Sequence, residues 1–305
     1  MIKFQNCPLW LLTLLSLGLA VSGCKPPIGP GAKRATDQDP TPEKRYPLTG
    51  EIIKADPARL TLLVKHDAIP GYMAAMTMEF TVTAGDVANA REGQRIRAEL
   101  VEMAEGELGL EKIWPVDATA EARIDEAAGM LRQDTSIRGR HAYREVGENL
   151  PNFALYDQTG QVASLARFRG KQIMLNFIFT RCQVASMCPL ATVNMTATQR
   201  KAREAGVADI EFVSITLDPE FDTPGVLRTY AQQRGIDTTN FSFLTGPERA
   251  IKDLLTQFGV IAAFDGSLLK HTVATVLIDT QGRIKWRVDG SQWSPDEFVQ
   301  KMQKQ

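Results

Sequence analysis

Residues 171–190 read KQIMLNFIFTRCQVASMCPL. The run from Lys171 to Phe179 is almost continuously apolar, the pattern of a strand covered on both faces rather than one alternating between core and water. It ends in a polar turn carrying Cys182 and Cys188, and Pro189 then opens a stretch of helical character reaching Ala205. Strand, turn and helix in that order are the repeating unit of open α/β sheets, which place their chemistry at the carboxyl ends of the strands.

The flanking sequence repeats the unit. DIEFVSITLD (209–218) is a second buried strand, and Thr223-Pro224 supplies a capping residue and a first-turn proline to a helix running to Arg234. FSFLT (241–245), a helix over 248–258, the pair TVATVLID and GRIKWRVDG joined by a Thr-Gln-Gly turn, and a last helix from Pro295 follow. Buried strands alternating with helices and closing in a hairpin plus helix predict a thioredoxin-like α/β domain over 147–305.

Upstream the period shortens. LTGEIIKAD, RLTLLVKHD, MTMEFTVT, QRIRAELVE and LGLEKIWPV alternate in the manner of half-buried strands, separated by Pro, Gly and polar turns. Five such strands over 48–116 predict a small all-β OB-like barrel preceding the α/β domain. Residues 117–146 read as a connecting segment whose helix, over 118–133, is rich in Ala, Glu and Arg. Residues 25–47 are rich in Pro, Gly and charge and read as a flexible tether.

Residues 1–24 carry a targeting pattern: Lys3, then the apolar stretch LWLLTLLSLGLA, then Val21-Ser22-Gly23-Cys24. The last four residues resemble the bacterial lipobox, which implies cleavage before Cys24 and its lipidation, with several acyl chains giving durable anchoring in the envelope, facing the periplasm. Cys7 falls inside the removed segment, so of four cysteines only Cys182 and Cys188 remain as thiols. A formal net charge of -1 supplies no basic face for nucleic acid.

Cys188 immediately precedes Pro189 at a helix start, where the helix dipole and free N–H groups favour a thiolate. Thiolates serve soft-metal binding and thiol exchange alike, and an inert disulfide is the plain structural alternative. A structural zinc site usually needs four ligands at shorter spacing. His271 stands at the start of TVATVLID, where thioredoxin-like oxidoreductases place a cis-proline beside their cysteines; no proline stands here. Two sulfurs and one imidazole suit copper. Asp218 and Asp222 read either as turn and helix-start residues or as outer partners of the same site.

On the LPNF opening at 150–153, the FTRC…CP turn, LDPEFDTP at 217–224 and His271-Thr272, the domain resembles the Sco/SenC family of thioredoxin-fold copper chaperones implicated in cytochrome c oxidase assembly. The resemblance implies copper held by Cys182, Cys188 and His271. The family's usual three residues between the cysteines have become five here, Gln183 to Met187.

The barrel carries its own cluster. Met73, Met76 and Met78 lie within six residues of one another, downstream of His66, and Met76 and Met78 share a strand face. They either fill the barrel core or offer thioether sulfur, which selects Cu(I). The segment resembles the CusF-type periplasmic copper-binding domain, whose His…Met-Thr-Met pattern falls on His66, Met76 and Met78. Met73 stands where that family places a metal-stacking Trp.

Together these readings predict a copper metallochaperone, with copper as its bound metal and an envelope cuproprotein, such as a cytochrome c oxidase subunit, as its partner. The alternative is a thiol-disulfide reductase in which Cys182 and Cys188 form the catalytic redox pair. A peroxidase ranks lower, because the surroundings of Cys182 lack the Pro/Thr arrangement of a peroxiredoxin.

Overall fold

The computed structural model describes residues 44–103, 106–139, 142–265 and 268–304. The targeting and tether segments, and Cys24 with them, lie outside the described residues. The first part is a closed barrel of β1 (Arg45–Asp56), β2 (Thr61–His66), β3 (Met76–Thr81), β4 (Arg95–Glu102) and β5 (Leu108–Pro115), in the order β1-β2-β3-β5-β4. Alternation along the strands turns Leu48, Ile52, Leu62, Val64, Phe80, Ile96, Leu100 and Leu110 inward. Each such side chain contributes about 1.5–3 kcal/mol relative to exposure. Gly50 pairs with His66, and a Cβ at Gly50 would stand 2.9 Å from the His66 backbone, so glycine permits β1 to cross β2 closely.

A short helix, α1 (Ala84–Asn89), was not legible in the strand pattern; Thr83 caps it by accepting from the Asp86 amide. A longer helix, α2 (Ala118–Arg138), runs past its predicted end, and its first turn is capped by Asp117, which accepts from the amides of Thr119 and Ala120.

The second part is a seven-stranded sheet. Its elements are β6 (Ala154–Asp157), β7 (Val162–Ser164), β8 (Gln172–Ile178), α3 (Cys188–Glu204), β9 (Ile210–Thr216), α4 (Pro224–Gln233), β10 (Phe241–Thr245) and α5 (Glu248–Gln257). A ribbon of β11 (Ala262–Asp265) and β12 (Leu268–His271) follows, then β13 (Ala274–Ile278), β14 (Ile284–Asp289) and α6 (Pro295–Gln303). The sheet order is β14-β13-β8-β9-β10-β6-β7, with β8, β9 and β10 parallel and β13 antiparallel to β8. This is a thioredoxin-like α/β arrangement, with the N-terminal β6–β7 pair added at one edge. β8 and β9 are covered along nearly their whole length, with Asn176, Glu211, Ser214 and Thr216 among the buried residues, so neither strand has a solvent-facing side.

Helix α2 buries Ile124, Ala127, Ala128 and Leu131 in the α/β core, and Gln257 at the end of α5 donates to Thr135 on α2. The barrel is fastened to the α/β domain through α1 and α4. A Cβ at Gly85 would fall 2.0 Å from the Gly225 carbonyl, so the two helices meet at backbone contact. Arg228 on α4 donates to the Ala88 carbonyl at 2.9 Å and to Asn89 at 2.7 Å.

One expectation is corrected. His271 does not open the long strand; it ends β12, paired with Ala262, and β13 begins at Ala274. The Thr272 amide donates to the Ile261 carbonyl, outside the main sheet, so of the run TVATVLID only Ala274–Ile278 forms the sheet strand.

Candidate metal centre

The chain leaves β8 at Ile178 and turns back over the sheet end, with the Cys182 amide donating to the Phe179 carbonyl at 3.3 Å. The turn is held from below by Asp222. Its fully buried carboxylate accepts from the Thr180 amide, the Thr180 hydroxyl and the Thr216 hydroxyl. Burial raises the Asp222 carboxyl to about 6, against the lowering effect of these bonds. Asp222 is therefore not the helix-start residue; Thr223 caps α4, accepting from the Val226 amide. Asp218, also buried, accepts from Arg181 at 2.8 Å, and the Arg181 guanidinium lies 4.4 Å from the centre of the Phe221 ring.

Cys182 is half-buried, its thiol directed at the Val184 carbonyl, and both cysteines are free thiols. Cys188 is the first residue of α3 and fully buried. The expected thiolate at this helix start is not what the structure gives. Burial pushes the Cys188 thiol far up, against the lowering effect of a bond with the Phe179 backbone, and the neighbouring Cys182 adds to the rise. A bound cation would reverse that balance, since it supplies the charge that water does not.

His271 completes the group. Its Nε2 stands 3.7 Å from Cys188 Sγ, and its Nδ1 is 3.2 Å from the Thr272 carbonyl. With Nδ1–H donating to that carbonyl, Nε2 carries the lone pair toward the sulfurs. Burial lowers the His271 pKa, which favours the neutral, ligating form. The Phe179 ring meets the imidazole edge-on, at 5.3 Å and 89°. The ligand atoms of Cys182, Cys188 and His271 lie within 4.8 Å of one another, two sulfurs and one nitrogen around a common point. This donor set fits a soft metal ion.

In the barrel, His66 pairs across the strands with Met76, and Val64 with Met78, so the imidazole and both thioethers share one face. His66 is almost wholly buried; its Nδ1 lies 2.7 Å from the Asp67 carbonyl, and its Nε2 is buried with no protein partner. A buried ring nitrogen without a hydrogen bond is costly unless something else occupies its lone pair. Met76 is half exposed, whereas Met78 and Met73 pack at the edge of the barrel core, so the methionines line a rim rather than fill the interior. Met73 forms an isolated bridge with Ile69. Next to it, Tyr72 stacks on Tyr46 at 4.0 Å.

Residues 142–305, just over half of the sequence, match the SCO1/SenC family model. The chain belongs to the SCO1/SenC family. Residues 45–115 of this SCO1/SenC protein also match the model described as copper binding periplasmic protein CusF. Curated relatives include the SCO1 protein homolog of Bacillus subtilis (strain 168), 34% identical over 94 residues, covering 31% of this chain and 47% of the relative. A SCO2-like protein of Rickettsia prowazekii (strain Madrid E) is 33% identical over 138 residues, covering 43% of this chain and 64% of the relative. The chain thus spans about half to just under two thirds of the length of these relatives.

Among solved structures, a SCO1/SenC family lipoprotein from Bacillus anthracis aligns at 26% identity and TM-score 0.48, over 53% of this chain and 98% of that one. The Arabidopsis thaliana ScoI structure with copper bound aligns at 23% identity and TM-score 0.46, over 50% of this chain and 98% of that one.

The turn that holds the cysteines depends on residues the motif did not single out. Thr180 sits inside the FTRC motif, but its two bonds to Asp222 arise from a contact 42 positions away. Phe179 opens the FTRC turn, but only the fold shows its ring abutting His271.

Proposed function

We propose that this SCO1/SenC chain is a copper metallochaperone of the bacterial envelope, holding copper through Cys182, Cys188 and His271 and delivering it to a cuproprotein such as a cytochrome c oxidase subunit. The observation that carries the reading is the convergence of two thiols and a neutral imidazole within 4.8 Å. Capture of the ion releases the thiol protons, and the lone pair of His271 Nε2 completes a set of three soft or borderline donors. His66, Met76 and Met78, with Met73 on the rim, form a second site selective for Cu(I); the unpartnered Nε2 of His66 supports it. Asp222 and Asp218 act on the cysteine turn through Thr180 and Arg181 rather than on the metal. Cys24 carries the lipid anchor, and the tether gives the two domains reach from the membrane.

A test of delivery is direct. Copper-loaded chain mixed with the metal-free copper domain of an oxidase subunit should lose its metal to that acceptor, while a Cys182→Ser/Cys188→Ser chain should transfer none from the α/β domain. Equal transfer by both would remove the cysteine site from the delivery role.

A second reading is favoured by the unequal exposure of the two thiols. Cys182 is half-buried and Cys188 fully buried, an arrangement in which an accessible sulfur attacks a partner and a protected one resolves the mixed disulfide. A reductase of this kind keeps its activity after His271→Ala, whereas a chaperone loses copper.

A further inference from the structure

The cysteine loop is held by a strut. Within it, the Met187 amide donates to the Val184 carbonyl at 2.9 Å, closing a turn between the two cysteines. The Ser186 carbonyl at the top of that turn accepts from the Ser291 hydroxyl at 2.5 Å, across 105 positions of sequence. Ser291 belongs to the segment Gly290-Ser291-Gln292-Trp293 that follows β14. This segment is itself fixed on two further sides. Asn194, on the helix that Cys188 begins, donates through its amide to the carbonyls of Ser291 and Trp293, each at 3.2 Å. The Gly290 amide donates to the carbonyl of Val273, two residues beyond His271, at 2.7 Å.

One tetrapeptide therefore touches all three pieces of chain that carry the metal donors: the loop between the cysteines, the helix of Cys188 and the segment of His271. Among the described residues, the side-chain bonds of Ser291 and Asn194 run only between this tetrapeptide, the cysteine loop and the helix of Cys188. The loop is the part that needs holding. Its residues Gln183, Val184 and Ala185 are exposed, so little packing holds them in place.

We propose that Ser291 is a positioning residue for the metal centre: its bond to Ser186 holds the five-residue loop so that Cys182 faces Cys188 and His271 at ligating rather than bonding distance. This rests on the copper reading of the three-donor site, but the strut also acts on the thiols alone. A disulfide requires the sulfurs to close to about 2.05 Å, and the loop must shift for that. An anchored loop resists the shift, so the strut favours the dithiol, metal-ready form over the disulfide.

The experiment compares wild type, Ser291→Ala, Ser291→Thr and Asn194→Ala as full chains. Two quantities are read: Cu(I) affinity at the cysteine site by competition with a chromophoric chelator, and the dithiol–disulfide equilibrium of the copper-free chain against glutathione. Loss of one part-buried hydrogen bond corresponds to up to about tenfold in each. Ser291→Ala should bind Cu(I) about tenfold more weakly and form the disulfide about tenfold more readily, with Ser291→Thr restoring both. Asn194→Ala should shift both in the same direction while leaving the hydroxyl in place, and a purely structural defect would not be rescued by threonine. If wild type binds no copper at the cysteines, the metal reading fails and the disulfide equilibrium alone decides the strut. An equilibrium unchanged in Ser291→Ala overturns the proposal in either case.

Discussion

The Asp86 carboxylate fills the place where a side chain at Gly225 would stand: a Cβ built at Gly225 would lie 1.9 Å from the carboxylate oxygen. The contact joins α4 of the α/β domain to α1 of the barrel, and the glycine is what allows the carboxylate to lie against the helix backbone. Gly225→Ala should therefore force the two helices apart. The cost expected of such overpacking is about 1–3 kcal/mol, read as a lowered melting temperature and faster proteolysis within 115–118, between the domains. Copper binding by each domain should be retained, because neither donor set includes α1.

The same contact makes a pH prediction. Asp86 is buried and its carboxyl is raised from 3.8 to about 6, chiefly by that burial, with Thr83 opposing the rise and Glu111 adding to it. A folded-state pKa above the unfolded value means the folded chain binds more protons between about pH 4 and pH 6. Stability is fully supported by this group below that window and falls as pH rises through it, by up to about 3 kcal/mol. Asp222, raised to about 6 in the same way, contributes a slope of the same sign, so denaturant titrations of Asp86→Asn across the window should show a clearly shallower decline than wild type. An identical slope in the variant would show that the decline arises elsewhere.

At the cysteine site, copper needs both sulfurs as thiolates, and a disulfide offers none. The reduced chain should bind copper there, and the chain oxidised to the Cys182–Cys188 disulfide should not. His271→Ala should weaken copper binding without altering disulfide formation, since the imidazole contributes a ligand but no part of the S–S bond. Anaerobic titration of the three forms measures this, and equal binding by oxidised and reduced chain would exclude the two-sulfur site.

The barrel should bind Cu(I) without the cysteines. In a Cys182→Ser/Cys188→Ser chain, about one equivalent of Cu(I) should remain and disappear on replacing Met76 and Met78 together. Ag(I) should behave as Cu(I), and Zn(II) should not compete, since thioethers discriminate against harder ions. Retention of the full equivalent without the methionines would return them to a packing role.

Anchoring is tested at Cys24. Metabolic labelling with a radioactive fatty acid should mark the wild-type chain and leave Cys24→Ser unlabelled. Persistent labelling of the variant would place the lipid elsewhere or remove the claim.

Much of this protein was written in local patterns. The near-continuous apolar run of β8, interrupted after Gln172 only at Asn176, declares a strand with neighbours on both faces, because such a strand needs no solvent-facing side. The alternation around Leu62, Val64 and His66 declares the barrel, and the spacing of Met76 and Met78 places both on one face because side chains alternate along a strand, while only the pairing of β2 with β3 brings His66 to that face. The residue types at 182, 188 and 271 named the donors, since sulfur and imidazole are chemistry a sequence states outright. What local sequence does not encode is desolvation and long-range contact. The helix start at Cys188 promised a thiolate, yet complete burial, a property of the whole fold, reverses the preference. His271 looked like the start of a long strand until pairing with Ala262 took it into a ribbon of its own. The holding of the Cys turn by Asp222, of its loop by Ser291, and of the barrel by Gly225 each depends on groups dozens of positions apart meeting within hydrogen-bond or van der Waals reach. Types and periods fix what each segment can be, whereas only the packed chain decides which groups lose water and which find a partner.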